Sequence, residues 1–236
     1  MNSQNDLGRF IEVQLIKWES LKSQKAPGAD LKNLERPVIT LSSESGCGAE
    51  SIARMLAKEF GFDFFGFELV DMIAQNTHLS KRLIATLDEK TQSAIEDMVE
   101  GMLAASVGEE HFSSENYLLN LGKVVLTIAT QGNAVILGRG ASFLLKAEDR
   151  LAIRFIAPLE VRVKNVMLEE HLTEQQSRDY IAAKEEERRL YIKRYFHAEI
   201  EDPANYDLVI NTASIKPKTI IEMTRVVIVR CQQKED

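Results

Sequence analysis

The sequence predicts an α/β fold, a five-stranded parallel sheet flanked by helices on both faces, with an extra N-terminal helix. Three observations predict it. Five short apolar runs, at residues 38–42, 62–67, 134–138, 151–157 and 206–211, alternate with stretches of helical period. Several of these runs are apolar throughout rather than alternating, as expected of strands buried on both faces. Gly61, Gly132, Pro158 and Pro217 stand at the junctions, where a helix stops or starts.

Taken in order, residues 7–22 place Leu7, Phe10, Ile11, Leu15, Trp18 and Leu21 on one helical face. A polar linker, residues 23–36 with Pro27-Gly28, follows. Residues 1–36 thus read as an arm and linker, and 37–236 as the main domain. The arm's apolar face suits packing on its own domain or a homodimer through this helix; amphipathicity does not choose. After the strand at 38–42 comes a helix over 49–60 that ends at Gly61, then a strand over 62–67. Residues 68–105 read as helical, because Ile73, Leu79, Leu83, Ile84, Leu87, Ile95, Met98, Val99 and Met102 recur at spacings of three and four. Ser113 or Ser114 is placed to cap a helix over 115–131. Strands follow at 134–138 and 151–157, and Pro158 opens the next helix. Thr173 and Gln176 form a capping box for a helix over 174–196. A strand over 206–211 and a helix over 217–231 complete the chain.

Composition narrows the function. The 236 residues are 44% hydrophobic and 28% charged, ordinary for a globular domain. A net charge of −7 argues against a broad nucleic-acid-binding face. Cys47 and Cys231 are the only cysteines, too few and too far apart for a disulfide scaffold or a zinc site. His78, His111, His171 and His197 lack metal-ligand spacing. No run approaches 18 apolar residues, and MNSQNDLGRF lacks a basic region followed by an apolar one. The expectation is a cytoplasmic protein with neither membrane span nor signal peptide.

Residues 38–57 carry the chemistry. A buried strand, the turn Ser43-Glu44-Ser45-Gly46-Cys47-Gly48, and a helix follow one another as in a phosphate-binding loop. There, backbone N–H groups and a helix N-terminus face an anion. Measured against G-x-x-x-x-G-K-[ST], Ser43 stands for the first Gly and Ala49 for the Lys. In a parallel sheet the loops after residues 42, 138, 157 and 211 converge at the strands' carboxyl ends.

Four separated matches in order resemble the cytidylate kinase-like proteins, relatives of the nucleoside monophosphate kinases in the P-loop superfamily. They are the 43–48 turn, Gly138-Arg139-Gly140, an Arg-rich segment with Glu185-Glu186-Glu187-Arg188, and Tyr206-Asp207-Leu208-Val209-Ile210-Asn211-Thr212. The resemblance runs from about residue 37 to the C-terminus. It implies a P-loop kinase sheet with a helical nucleotide-monophosphate-binding insertion, matching 68–131, and a lid, matching 159–200. It also implies transfer of the ATP γ-phosphoryl group to a small nucleotide-like acceptor, with Mg²⁺.

On that resemblance Ser45, Gly46, Cys47, Gly48, Ala49, Glu50 and Ser51 line the donor phosphates, and Ser51 is the Mg²⁺ ligand. Asn211 falls near the adenine. Arg139 grips the acceptor phosphate, and Arg162 and Arg188 close from the lid. Each has a plainer alternative: an ordinary Gly turn, a polar first-turn serine, a turn-capping Asn, a surface arginine, a solvated helix laced with ion pairs. Three positions depart from the family at the acceptor side: Gly66 and Gly140, where Asp is usual, and Met72, where Arg is usual. The missing lysine and these departures leave two further alternatives. One is a catalytically degenerate scaffold that binds a nucleotide or anion as a regulator. The other is an interaction module acting through the arm helix.

Overall fold

The structure, a computed structural model, describes residues 2–22, 37–106 and 112–232; the linker over 23–36 lies outside them. In chain order its elements are α1 (Asn2–Lys22), β1 (Val38–Ser43), α2 (Ala49–Phe60), β2 (Asp63–Phe65), α3 (Phe67–Gln75), α4 (Thr77–Ile84), α5 (Glu89–Ser106), α6 (Phe112–Gln131), β3 (Ala134–Leu137), α7 (Ala141–Leu144), β4 (Leu151–Ile156), α8 (Leu159–Glu170), α9 (Glu174–Phe196), β5 (Leu208–Asn211) and α10 (Pro217–Gln232). They form two compact units, Met1–Leu34 with Phe67–Gly132, and Glu35–Gly66 with Asn133–Asp236.

The second unit holds the five-stranded sheet, in the order β2-β3-β1-β4-β5 with all pairs parallel. β1 is central, so the chain leaves it toward both edges and a crevice opens at its carboxyl end. Ile39 and Leu41 point to one face and pack with Ala53 and Leu56 of α2 and Ile220 and Ile228 of α10. Thr40 and Ser42 point to the other, which is polar and nonetheless buried. There Thr40 Oγ1 accepts from Ser142 Oγ at 3.0 Å. Ser42 Oγ accepts from Arg154 Nη1 at 2.9 Å and from the Tyr206 hydroxyl at 3.2 Å. Gly61 closes α2 in the left-handed conformation, as the sequence predicts. The capping box of α9 is formed, with the Thr173 N–H donating to Gln176 Oε1 at 2.9 Å and Thr173 Oγ1 accepting from the Gln176 N–H. α8 and α9 pack through Val163, Val166 and Ile181.

The first unit is helical, with α6 packed against α3, α4 and α5. Helix α1 belongs to this unit; its Ile11, Leu15 and Trp18 are buried, and Glu12 pairs with Arg82 of α4 at 2.8 Å. The single helical span expected over 68–105 is broken twice. Asn76 caps α4, its side chain accepting from the N–H groups of His78 and Leu79. Asp88 caps α5, accepting from the Thr91 N–H at 3.0 Å and the Thr91 hydroxyl at 2.7 Å. The 84–89 connection keeps helix-like turns, so the apolar period runs through the break and hides it. The expected strand over 62–67 shortens to Asp63–Phe65, with Phe67 opening α3. Helix α6 starts at Phe112, ahead of the serines expected to cap it, whose side chains lie outside the described residues.

Asp88→Ala is expected to lower stability by about 1 kcal/mol at neutral pH, the usual worth of an N-cap. The hydrogen bond from Thr91 holds the Asp88 carboxyl below its ordinary range. Its stabilisation is therefore complete above the unfolded-state pKa and lost as the pH falls through the lower folded one. Thermal unfolding in neutral and in strongly acidic buffer checks this, and the variant and parent should converge in acid. Gly46→Ala and Gly48→Ala form a second test. Both positions have positive φ, 81° and 75°. A Cβ at Gly46 would stand 2.5 Å from the Arg162 carbonyl oxygen and 2.9 Å from Val166 Cγ2, whereas at Gly48 nothing lies within 4 Å. Gly48→Ala should cost about 1–2 kcal/mol from backbone strain alone, and Gly46→Ala clearly more, by denaturant unfolding.

Candidate active site

The 43–48 turn is held by one backbone hydrogen bond to β4 and one within itself. The Glu44 N–H donates to the Phe155 carbonyl at 3.0 Å, and the Cys47 N–H to the Glu44 carbonyl at 3.3 Å. Helix α2 follows at once, with left-handed Gly48 as its N-cap and no side-chain capping bond. The first-turn N–H groups that a helix cannot satisfy internally, together with the dipole, then favour an anion at this end. The space beside Gly48 is open. Cys47 and Ala49 are buried in the sheet's core. Burial pushes the Cys47 thiol up to about 11, so it stays protonated and serves as a spacer. Glu50 and Ser51 are exposed in the first turn. Glu50 pairs with Arg54 at 2.7 Å, and the Arg54 guanidinium lies 4.7 Å above the Phe64 ring.

The lid-like helices reach the turn directly. Asn165 Nδ2 of α8 donates to the Gly46 carbonyl at 2.8 Å. Buried Arg162 donates from Nε to the Ala157 carbonyl at 2.9 Å, lies 3.3 Å from Glu44 Oε2, and donates from Nη1 to the Glu185 carboxylate of α9. Glu44 Oε2 also accepts from the Ala157 N–H at 2.9 Å. Arg188 of α9 donates from Nη1 to the Ser43 carbonyl at 3.0 Å and to Ser45 Oγ at 3.1 Å. Burial lowers its pKa, yet a guanidinium remains charged in proteins. From the β5 side, Thr212 Oγ1 donates to the Cys47 carbonyl at 2.8 Å. Asn211 turns its Oδ1 to the Ala213 N–H at 3.0 Å, closing a local turn.

After β3, Gly138, Arg139 and Gly140 all have positive φ, 81°, 54° and 69°. For Arg139 this costs roughly 1–2 kcal/mol. A Cβ at Gly140 would stand 2.6 Å from the Phe196 ring. Phe196 is held by Phe143 and Tyr191, with ring centroids 5.7 and 5.9 Å away. A side chain at position 140 would therefore have to displace that ring. The Arg139 charge acts on Arg188 and Glu187.

The sequence-predicted residues 45–50, Arg162 and Arg188 thus meet at one turn, with Ser51 in the helix turn above it. Arg178 is instead spent on Glu160 and Glu174, and Arg189 on Glu186, as solvated ion pairs. Glu185, the acid that stands three residues before Arg188 in the segment resembling the family's lid, pairs instead with Arg162. Sequence reasoning missed the Asn165, Glu44 and Thr212 contacts, which join segments more than 100 residues apart. Arg154, a charge inside an otherwise apolar strand, was the one visible signal of the polar sheet face. Among the described residues no group of three or more His, Cys, Asp or Glu is placed to hold a metal.

Comparison with known proteins places this geometry. A solved structure of an uncharacterized protein from Eubacterium ventriosum has the same fold at TM-score 0.64 and 17% identity, over 83% of this chain and 99% of that one. The cytidylate kinase of Thermococcus kodakarensis is 28% identical over 191 residues, 81% of this chain and 87% of that protein. Cytidylate kinase 2 of Borreliella burgdorferi is 26% identical over 79% of this chain and 92% of its own length. Residues 38–214, which include the turn, the Arg139 loop and both lid-like helices, match the cytidylate kinase-like family, and the chain belongs to that family.

Proposed function

We infer that this chain transfers the terminal phosphoryl group of ATP to the phosphate of a small nucleotide-like acceptor in the cytoplasm. The observation that carries the reading is the junction of β1 and α2. Two left-handed glycines and an uncapped helix N-terminus lie there beside an arginine from α9, in a chain whose relatives include cytidylate kinases. In this reading the backbone of residues 45–50 wraps the donor phosphates. Asn211, the last residue of β5, lies toward the adenine.

An acceptor-phosphate oxygen attacks the γ-phosphorus, forming one P–O bond. The bond from that phosphorus to the β,γ-bridging oxygen breaks, and the electron pair leaves on ADP. Catalysis of such a transfer is mostly positioning and charge stabilisation. Arg139, held by strained backbone, suits bidentate grip of the acceptor phosphate. Arg188 faces the transferring group from α9, and Arg162 holds Glu44 and α9 in place.

The residues fit a Mg²⁺ ion of the kind that retains water and binds through substrate phosphates, since Ser51 offers an exposed hydroxyl and no acidic cage is present among the described residues. Ser51 would hold it, and its charge would offset that of the donor phosphates.

Buried Ala49 and the ring packed on Gly140 favour a second reading, a scaffold that binds a nucleotide without turning it over. Two measurements separate them. A panel of nucleoside monophosphates with ATP and Mg²⁺ should yield ADP, and Arg139→Ala should lower kcat/KM by about 10- to 100-fold, the worth of a charged hydrogen bond. ATP binding with no ADP formed across the panel would instead select the scaffold. Ser51→Ala should weaken calorimetric binding of ATP with Mg²⁺ while leaving binding of ATP in chelator unchanged; equal effects in both would remove the metal role.

A further inference from the structure

The loop lacks the lysine that ordinarily neutralises donor phosphates, and Ala49 in its place is buried against the core. Three guanidinium groups lie around the loop, and their partners differ. Arg162 is paired with the carboxylates of Glu44 and Glu185 and with a carbonyl, so its charge is met inside the protein. Arg54 is paired with Glu50 and stacked on Phe64. Arg188 touches only neutral acceptors, the Ser43 carbonyl and Ser45 Oγ, through one nitrogen. No carboxylate among the described residues lies within ion-pair distance of it.

Arg188 is half-buried; withdrawing a guanidinium even partly from water without a carboxylate partner is costly, and an anion in contact with it offsets that cost. The Arg139 charge also repels that of Arg188, which an anion at the Arg188 guanidinium offsets.

We propose that Arg188, anchored on α9 and seated on the loop, is the donor-site cation that takes over the role of the absent loop lysine. The assignment rests on the kinase reading above and narrows it. The positive charge has moved from the first turn of α2 to a helix some 140 residues later in the chain. That helix is fastened to the loop without any ligand, through Arg162 and Glu44 and through the Arg188 contacts, while Asn165 ties α8 to the same turn. The cation is therefore in place at the loop before any ligand binds. The exchange on binding is simple: phosphate oxygens replace neutral oxygens at the guanidinium, and a charged hydrogen bond replaces an uncharged one.

The test is calorimetric titration of the full chain with inorganic tripolyphosphate and, separately, with ATP and Mg²⁺, each variant first shown folded by circular dichroism and thermal unfolding. Arg188→Gln, which keeps a donor for the Ser43 carbonyl but no charge, should weaken both ligands by about 10- to 100-fold. Arg188→Lys should keep most of the affinity. Arg189→Gln, which removes a charge from the same helix at a residue paired with Glu186 and away from the loop, should bind like the parent. Parent-like binding by Arg188→Gln overturns the assignment, as does an equal loss in Arg188→Gln and Arg188→Lys. A loss in Arg189→Gln as large as in Arg188→Gln also overturns it, because the net charge of α9 rather than the seat of Arg188 would then be responsible. Failure of the parent itself to bind either ligand is a different result and overturns the kinase reading.

Discussion

The loop's geometry depends on one buried guanidinium. Arg162 would be too costly to bury alone, and it is tolerated because Glu44, Glu185 and the Ala157 carbonyl take its donors. Those partners come from the loop, from α9 and from the end of β4, so a single side chain joins three segments far apart in sequence. Breaking such a cluster by removing one member costs about 3–5 kcal/mol, because the remaining charges stay buried without compensation. The same cluster answers an electrostatic difficulty. Glu44 lies inside a turn that should welcome an anion, but its carboxylate is turned inward to Arg162 and the Ala157 N–H. The turn's one internal acid is thereby neutralised where it stands.

Much of this was legible in the chain. Strand, glycine turn and helix follow each other within twenty residues, and local rules govern all three: apolar runs, left-handed glycines, a helix that ends at Gly61. The capping box at Thr173 and Gln176 is equally local and forms as expected. What failed was also instructive. An apolar period of three to four continues across Asn76 and Asp88 because the connecting residues keep helical turns, so periodicity alone could not see two helix starts that the capping residues announce. The arginines failed differently. The family resemblance makes Arg162 and Arg188 equivalent lid residues and gives Glu185 to Arg188. Packing gives Glu185 to Arg162 and leaves Arg188 on neutral oxygens, a distinction that only the tertiary fold creates.

The polar face of the sheet belongs to the same physics. Thr40, Ser42, Ser142, Tyr206 and Arg154 satisfy one another where an apolar layer would ordinarily sit. Ser42 ends on this face one residue before the loop begins, so the loop's first residue leaves from a hydrogen-bonded platform rather than from a greasy one. Such networks hold one geometry well when every member is satisfied.

The contact between Gly140 and Phe196 ties the loop after β3 to the end of α9. A side chain at position 140 would meet the Phe196 ring, so the two positions share one space although they lie on different elements. Enlarging one is accommodated only where the other gives way, which makes the pair a site of coupled rather than independent substitution.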